Sequence, residues 1–381
     1  MSTPISFDEF SPLSRDQWEA KICREVGVDS LEALRVKLSD RLDFSPLPGN
    51  AHATYQSRQQ GDWVIVHRQF NLEQPAKANQ EMIKALEGGA NGLFIDAQKP
   101  LNWEVLLQGI ALDYISLFVN LPQNDPALFS YIRENYPRKL PDVFIKQPDA
   151  VRGFKAAGVD GRRLADAAVD PDRALGCLLA DAYEKLHQGV PASEIWFALG
   201  TQGHYFLDIV QVRALRRLWS FLLQTISMNE VEAYIYVEST LRNKHTSDVY
   251  SNMLRNTAEG MGAVVGGADA LCLVPHNVNS ENNDPFGQRV SRNAQLIFRY
   301  EAHLDKHLDP ASGSPFFEHF THDLADAAWR SFKEIEAVGG WHKYRSSGAF
   351  ESLLKQANDR ENQRVESGEL KRVGHNFYRV N

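Results

Sequence analysis

Cysteine is scarce in this chain of 381 residues: Cys23, Cys177 and Cys272 stand far apart and form no CxxC pair. That excludes a disulfide framework and a cysteine-based zinc cluster, and it suits a reducing cytosol. Positive charge is also in short supply. Lys and Arg number 41 against 49 Asp and Glu, a formal net charge of −8, so nucleic acid is not an expected partner, because phosphate contacts need clustered basic side chains. An anionic small ligand stays admissible, since local potential governs it rather than net charge. No apolar run approaches the ~18 residues needed to span a membrane. The opening Met1-Ser-Thr-Pro-Ile-Ser-Phe-Asp8 has no basic stretch leading into an apolar core, which argues against a signal peptide. Also missing are a P-loop, an HExxH helix, a nucleophile elbow and a GxGxxG loop after the first strand. A soluble, cytoplasmic protein with no membrane partner is expected.

What is present is alternation. From about residue 60, short apolar runs alternate with amphipathic segments. Strands are expected at 63–70, 92–97, 114–121, 142–147, 158–162, 195–201, 233–239 and 270–275, with helices at 79–87, 125–135, 173–187, 208–226 and 250–265. In 208–226 the apolar residues Ile209, Val212, Leu215, Trp219, Leu222 and Ile226 recur every three or four positions and make one buried stripe. Gly88-Gly89 and Gly266-Gly267 read as helix caps leading straight into strands. Some eight strand–helix repeats predict an α/β fold, a (β/α)8 TIM barrel with an N-terminal helical arm and C-terminal helices. A doubly wound open sheet is the alternative. The expected division is an arm over 1–50, a barrel over 51–345 and a polar tail over 346–381. The arm is read as two helices, 16–25 and 30–38, separated from the barrel by Pro46-Leu47-Pro48-Gly49. Three helical stretches are expected after the last strand.

The most informative segment is Asn243-Lys244-His245 followed by Tyr250-Ser-Asn252-Met-Leu-Arg255-Asn-Thr257-Ala-Glu259 and then Gly266-Gly-Ala-Asp269. It resembles the N-K…Y-x-N-M-L-R-x-T-x-E segment of methylmalonyl-CoA mutases, especially their small subunits. Further along, Arg289-Val-Ser-Arg292-Asn293-Ala-Gln295 is similar to the family's R-x-x-R-N-x-Q helix, and Asp309-Pro310-Ala-Ser-Gly313-Ser314 to its D-P-x-x-G-S turn. Glu318, Thr321 and Ala327-Ala328-Trp329 continue the series in order, and Phe10 to Lys21 resembles the leading arm of small subunits. The resemblance implies a barrel that holds acyl-CoA, working with a domain that holds adenosylcobalamin. Family members recognise the cofactor by D-x-H-x-x-G. The nearest string, Asp305-Lys-His307-Leu-Asp-Pro310, has Pro in place of Gly. No cofactor is therefore expected on this chain alone, and adenosylcobalamin is expected in a partner subunit.

In such a barrel the site forms at the C-terminal strand ends. These supply Arg68, Gln69 and Phe70, Asp96, Asn120, Lys146, Arg162 and Arg163, Gln202 and His204, Glu238, and His276. Against the family pattern three positions have degenerated. Arg68-Gln69-Phe70-Asn71 stands where catalytic subunits read R-Q-Y-A-G-F, so a phenol is lost. Asp160-Gly161-Arg162-Arg163 stands where they read S-G-Y-H, so an imidazole is lost. A guanidinium holds its proton at physiological pH and does not serve as a poised acid. The segments that hold the substrate carboxylate have no counterpart between 121 and 150. Phe70, Arg162 and Arg163 thus mark degenerate catalytic positions, and Arg68, Gln69, Gln202, His204 and Glu238 remain substrate-binding candidates. His303 and His307, spaced i, i+4, are weighed as a metal pair on one helix face, without an evident third ligand. The resemblance implies a non-catalytic small subunit that stabilises a catalytic large subunit in a heterodimer for methylmalonyl-CoA/succinyl-CoA isomerisation. The alternative is a working acyl-CoA mutase barrel paired with a separate cobalamin-binding chain.

Overall fold

A computed structural model describes residues 11, 13–39, 41–45, 48, 61–121, 123–138, 140–147, 151, 154–280 and 285–379. Eight strands carry it: β1 (Val64–Gln69), β2 (Gly92–Asp96), β3 (Ser116–Asn120), β4 (Val143–Lys146), β5 (Ala157–Asp160), β6 (Ile195–Gly200), β7 (Ile235–Glu238) and β8 (Ala270–Cys272). They pair in chain order, and β8 closes on β1 through Ala270 opposite Val64 and Leu271 opposite Ile65. All neighbours run parallel except at the β4–β5 seam, where Lys146 meets Ala157 in a single antiparallel pairing. The expected α/β TIM barrel is the fold, and the open doubly wound sheet is excluded by closure.

The strands are apolar on both faces because both are covered. Leu93, Ile95, Leu117, Val119 and Ile145 point outward into the helical layer. Val66, Phe94, Phe118, Phe144, Trp196 and Tyr236 point inward and form a cluster of their own. Helices return the chain between strands. Several open with Pro in their first turn, as in Pro75–Glu87, Pro126–Asn135 and Pro171–His187, where a missing N–H costs nothing. Asp125 caps the second of these through the Ala127 N–H at 3.1 Å and also accepts the Trp103 indole N–H at 2.8 Å.

The arm differs from expectation. Arg15–Val26 is a helix with a Ser14–Gln17 capping box, but the second expected helix is a short 3-10 turn, Leu31–Leu34. It gives way to a ladder pairing Val36–Lys37 with Asp43–Phe44. Arg35 bonds Asp43 at 2.7 Å across this turn, which favours the hairpin over a helix too short to hold itself. Phe44 stacks on Phe320 with centroids 4.6 Å apart and anchors the arm to the helix Pro315–Ala337. The separator at 46–49 lies outside the described residues except for Pro48, as do Phe10 and the residues before it.

Four α-helices follow β8 among the described residues, rather than three: Pro285–Tyr300, Pro315–Ala337, Gly340–Ser346 and Ala349–Glu366. Arg213, fully buried, ties the Tyr205–Thr225 helix to this layer through Glu318 at 3.0 Å and through Asp309. The proposed shared helix face for His303 and His307 does not exist. The helix stops at Tyr300, and His303 has φ 53° at the start of the 3-10 turn Leu304–Lys306. No described helix is long and apolar enough to cross a membrane.

Candidate functional site

Parity along each strand decides what the barrel axis contains. In β2, β3 and β4 the inward positions are Phe94 and Asp96, Phe118 and Asn120, Phe144 and Lys146, so each strand contributes an aromatic ring and then a polar end. The rings pack tightly: Phe118 stacks on Phe144 at 4.7 Å and Phe94 on Tyr236 at 5.3 Å, while Phe118 meets Tyr236 at 5.1 Å and Phe144 meets Tyr234 at 4.2 Å with tilted planes. Trp196 meets Phe118 edge-on at 5.8 Å and donates its indole N–H to the Ile145 carbonyl at 3.2 Å. Gly158 on β5 makes room for that indole, since a Cβ there would stand 2.8 Å from the Trp196 ring. Phe94, Phe118 and Tyr236 are at most 1 % exposed. The axis is a packed core.

Above the rings lies a layer of charge. Arg68 on β1 binds Glu238 at 2.5 Å and Asp96 at 2.8 Å. Asn120 donates to Asp96 at 2.7 Å. Asp160 receives Arg162 at 2.8 Å and Lys146 at 3.0 Å, and Arg162 reaches Glu238 at 3.4 Å. The Tyr236 hydroxyl donates to Glu238 at 2.6 Å. Three cations and three carboxylates thus face one another across the barrel mouth, and buried acids hold both arginines. Burial alone would disfavour the charge on Asp160, but the guanidinium of Arg162 and its hydrogen bonds win, and the carboxyl titrates far below its usual range. Burial also opposes the charge on Arg162, yet Asp160 and Glu238 leave its pKa raised. Burial pushes the Tyr236 phenol well above its ordinary value.

The structure brings together Arg68, Arg162 and Glu238 with Asp96, Asn120 and Lys146. It does not bring the other candidates there. Gln69 turns outward and donates to Glu81 at 2.7 Å. Phe70 lies beyond the layer, its ring 5.2 Å from the Arg68 guanidinium. Gln202 gives its backbone N–H to Asp208 at 2.6 Å on the flank of the barrel. His204 caps the Tyr205–Thr225 helix through the Leu207 N–H at 3.3 Å, and burial lowers its pKa. Arg163 is corrected most clearly. β5 ends at Asp160, a short helix Arg162–Asp166 begins, and the turn aims Arg163 outward to pair with Glu351 at 3.1 Å. His276, also read at a strand end, follows β8 by several residues and packs against Tyr250. Strand ends alone do not single out Asp160 and Tyr236; their parity with Arg162 and Glu238 is the signal in the sequence.

At the opposite end of the barrel, a cavity of about 520 Å³ opens between Val64, Ser116, Asp142, Lys155, Tyr234 and Asp269. It ends against the rings: the Lys155 ammonium sits 4.4 Å from the Phe144 centroid and 5.2 Å from that of Tyr234.

The sequence profile of methylmalonyl-CoA mutase matches residues 128–381, two thirds of the chain. This chain belongs to the methylmalonyl-CoA mutase family. It is 24% identical to the methylmalonyl-CoA mutase small subunit of Porphyromonas gingivalis, over 94% of this chain and 68% of that one. It is 27% identical to the small subunit of Streptomyces virginiae, over 87% of this chain and 65% of the relative. The large subunit of the same organism is 26% identical over 64% of this chain and 35% of its own length. The chain is of the small-subunit type. It spans about two thirds of these two small subunits and about a third of the large one.

Proposed function

We propose that this chain is a small-subunit component of an adenosylcobalamin-dependent methylmalonyl-CoA mutase, itself non-catalytic, that stabilises a catalytic large subunit. The filled barrel axis carries the reading. An acyl-CoA site needs an open chamber with free polar groups to orient the ester. Here aromatic rings occupy the axis, and Arg68 and Arg162 are already neutralised by Asp96, Asp160 and Glu238. A ligand carboxylate would have to displace a buried carboxylate to reach either guanidinium. Arg162 and Tyr236 are not poised proton donors: a guanidinium and a phenol of raised pKa both hold their protons at neutral pH.

The chain's residues also fit a corrin poorly. His307 follows a 3-10 turn in which Asp305 bonds Lys306 at 2.6 Å, and Pro310 replaces the glycine of the family's cobalt-binding string. The cofactor is therefore assigned to the partner. In this reading residues 1–50 reach the large subunit, 51–345 form the barrel and 346–381 form a tail. A cytoplasmic setting suits the three free cysteines, two of which are buried.

Co-expression with a methylmalonyl-CoA mutase large subunit, followed by size-exclusion chromatography, tests the proposal. One shared peak, with a large subunit that survives heating better than when alone, is expected. Two peaks at every concentration would overturn it. Turnover by this chain with only a separate cobalamin-binding chain would establish the catalytic alternative.

A further inference from the structure

The segment most diagnostic in sequence does not lie on the barrel axis. Lys244 and Glu259 form a fully buried ion pair at 3.0 Å, and Glu259 is further saturated by Thr201 and Asn243, each at 2.6 Å. That pair fixes the loop after β7. The next residue, His245, lays its imidazole flat on that of His375, with centroids 3.9 Å apart and planes within 5°.

His375 lies in a hook formed by 372–377. The hook closes on itself: the Gly374 N–H donates to the Phe377 carbonyl at 2.8 Å, and the Arg372 N–H donates to Asn376 at 2.6 Å. Its base rests on the helix Ala349–Glu366, where Asn376 donates to the Val365 carbonyl at 2.7 Å and Arg372 pairs with Glu361 at 2.5 Å. Its tip is held by the loop and the helix after it. Ser247 donates to the Gly374 carbonyl at 2.9 Å, and Arg255 donates to the carbonyl of Val373. A Cβ at Gly374 would stand 2.5 Å from the Asp248 carboxylate, so the tip docks closely.

The free charge around His245 is positive. Lys244 comes from its own loop, Arg255 from the helix Ser251–Val265, and Arg372 from the hook. The neighbouring carboxylates are engaged: Glu259 by Lys244, Glu361 by Arg372 and Arg242, and Asp248 by the Ser251 hydroxyl and N–H. From the loop after β8, Asn252 reaches across to the carbonyls of His245 at 3.0 Å and His276 at 2.8 Å. The His245 Nε2 is buried and has no partner among the described residues. A second proton on this ring would therefore find no acceptor there, and would face three cations and a parallel imidazole. Burial first, then His375 and those cations, lower the His245 pKa to about 4.

We propose that the stacked imidazoles of His245 and His375 form a pH-sensitive clasp, in which protonation releases the hook 372–377 from the loop while the barrel stays folded. Once released, the ring regains an ordinary value near 6.5, so protons favour the open form. Docking is strongest above about 6.5 and weakens as pH falls towards 4. The clasp is independent of the reading of the barrel axis.

Hydrogen exchange of the full chain, read by mass spectrometry on peptides covering the hook and β3, tests this. Parent and His245→Gln are compared at matched pH, so intrinsic exchange chemistry cancels. The parent-to-variant rate ratio in the hook is expected to rise at least about tenfold between roughly pH 7.5 and pH 5, with no such rise in β3. The rise is read from whatever value the ratio has at the higher pH, so loosening of the hook by the substitution itself does not mask it. In a His375→Gln background the same comparison is expected to give a smaller rise. A ratio that stays flat with pH overturns the proposal, and so does an equal rise in β3, which would be global unfolding. An undiminished rise without His375 would remove that ring from the clasp and overturn the pairing.

Discussion

The guanidinium of Arg162 lies 4.5 Å from the ring centroid of Phe94, so the charge layer at the barrel mouth rests directly on the aromatic fill beneath it. Arg68 does the same from the other side at 5.4 Å. Each layer supports the other. The rings exclude water from the ion pairs, and the cations gain from the ring faces below them. Because Glu238 bonds Arg68, Arg162 and Tyr236, it is the common partner of both layers.

Glu238→Gln removes the charge that two buried guanidinium groups share. Breaking one side of a buried ion pair costs about 3–5 kcal/mol, and that loss is expected in guanidinium chloride denaturation. Adding Arg68→Met should recover part of it, since the uncompensated charge goes too. A loss below ~0.5 kcal/mol, typical of a surface substitution, would show that the layer does not hold the barrel mouth together.

Lys244→Met tests the second buried pair. It leaves Glu259 charged beside Asp208, whose carboxyl is already pushed well above its usual range by burial and then by Glu259. A loss of about 3–5 kcal/mol is expected, with substantial recovery in the double variant with Glu259→Gln. Thermal or chemical denaturation of the four proteins reads the coupling directly.

His67 gives the fold an acid sensitivity. Burial, opposed by its hydrogen bond to Gln69, lowers its pKa to about 4 from an ordinary value of 6.5. The unfolded chain then binds the proton first as pH falls. Stability contributed by the neutral ring is complete above about 6.5, is lost between about 6.5 and 4, and does not change further below. The loss over that window is roughly 3 kcal/mol. Denaturation midpoints at a series of pH values should show a steeper fall for the parent than for His67→Gln. Parallel profiles would contradict the assignment.

The barrel was legible because strands covered on both faces leave continuous apolar runs, and because Gly88-Gly89 and Gly266-Gly267 mark the turns between helix and strand. The same double burial hid the phase. With Leu93, Phe94 and Ile95 all apolar, composition cannot say which one faces the axis, and only the closed sheet shows that it is Phe94. Arg68, Arg162 and Glu238 were found from strand ends, whereas Arg163 was misassigned because a helix begins one residue earlier than the strand reading allowed. The Ser30–Leu38 segment misled through its helix-forming residues, where a cross-turn Arg35–Asp43 pair decides the hairpin. Asp208 and Glu259 come together only through tertiary structure, and no local spacing announces them.

The central claim is that the barrel axis takes no acyl-CoA. Equilibrium titration of the purified chain with methylmalonyl-CoA, followed by intrinsic tryptophan fluorescence and calorimetry, tests it most directly, since Trp196 sits within the fill. The account predicts no saturable response up to about 1 mM. Micromolar binding that quenches Trp196, and that a Trp196→Phe variant no longer reports, would contradict it.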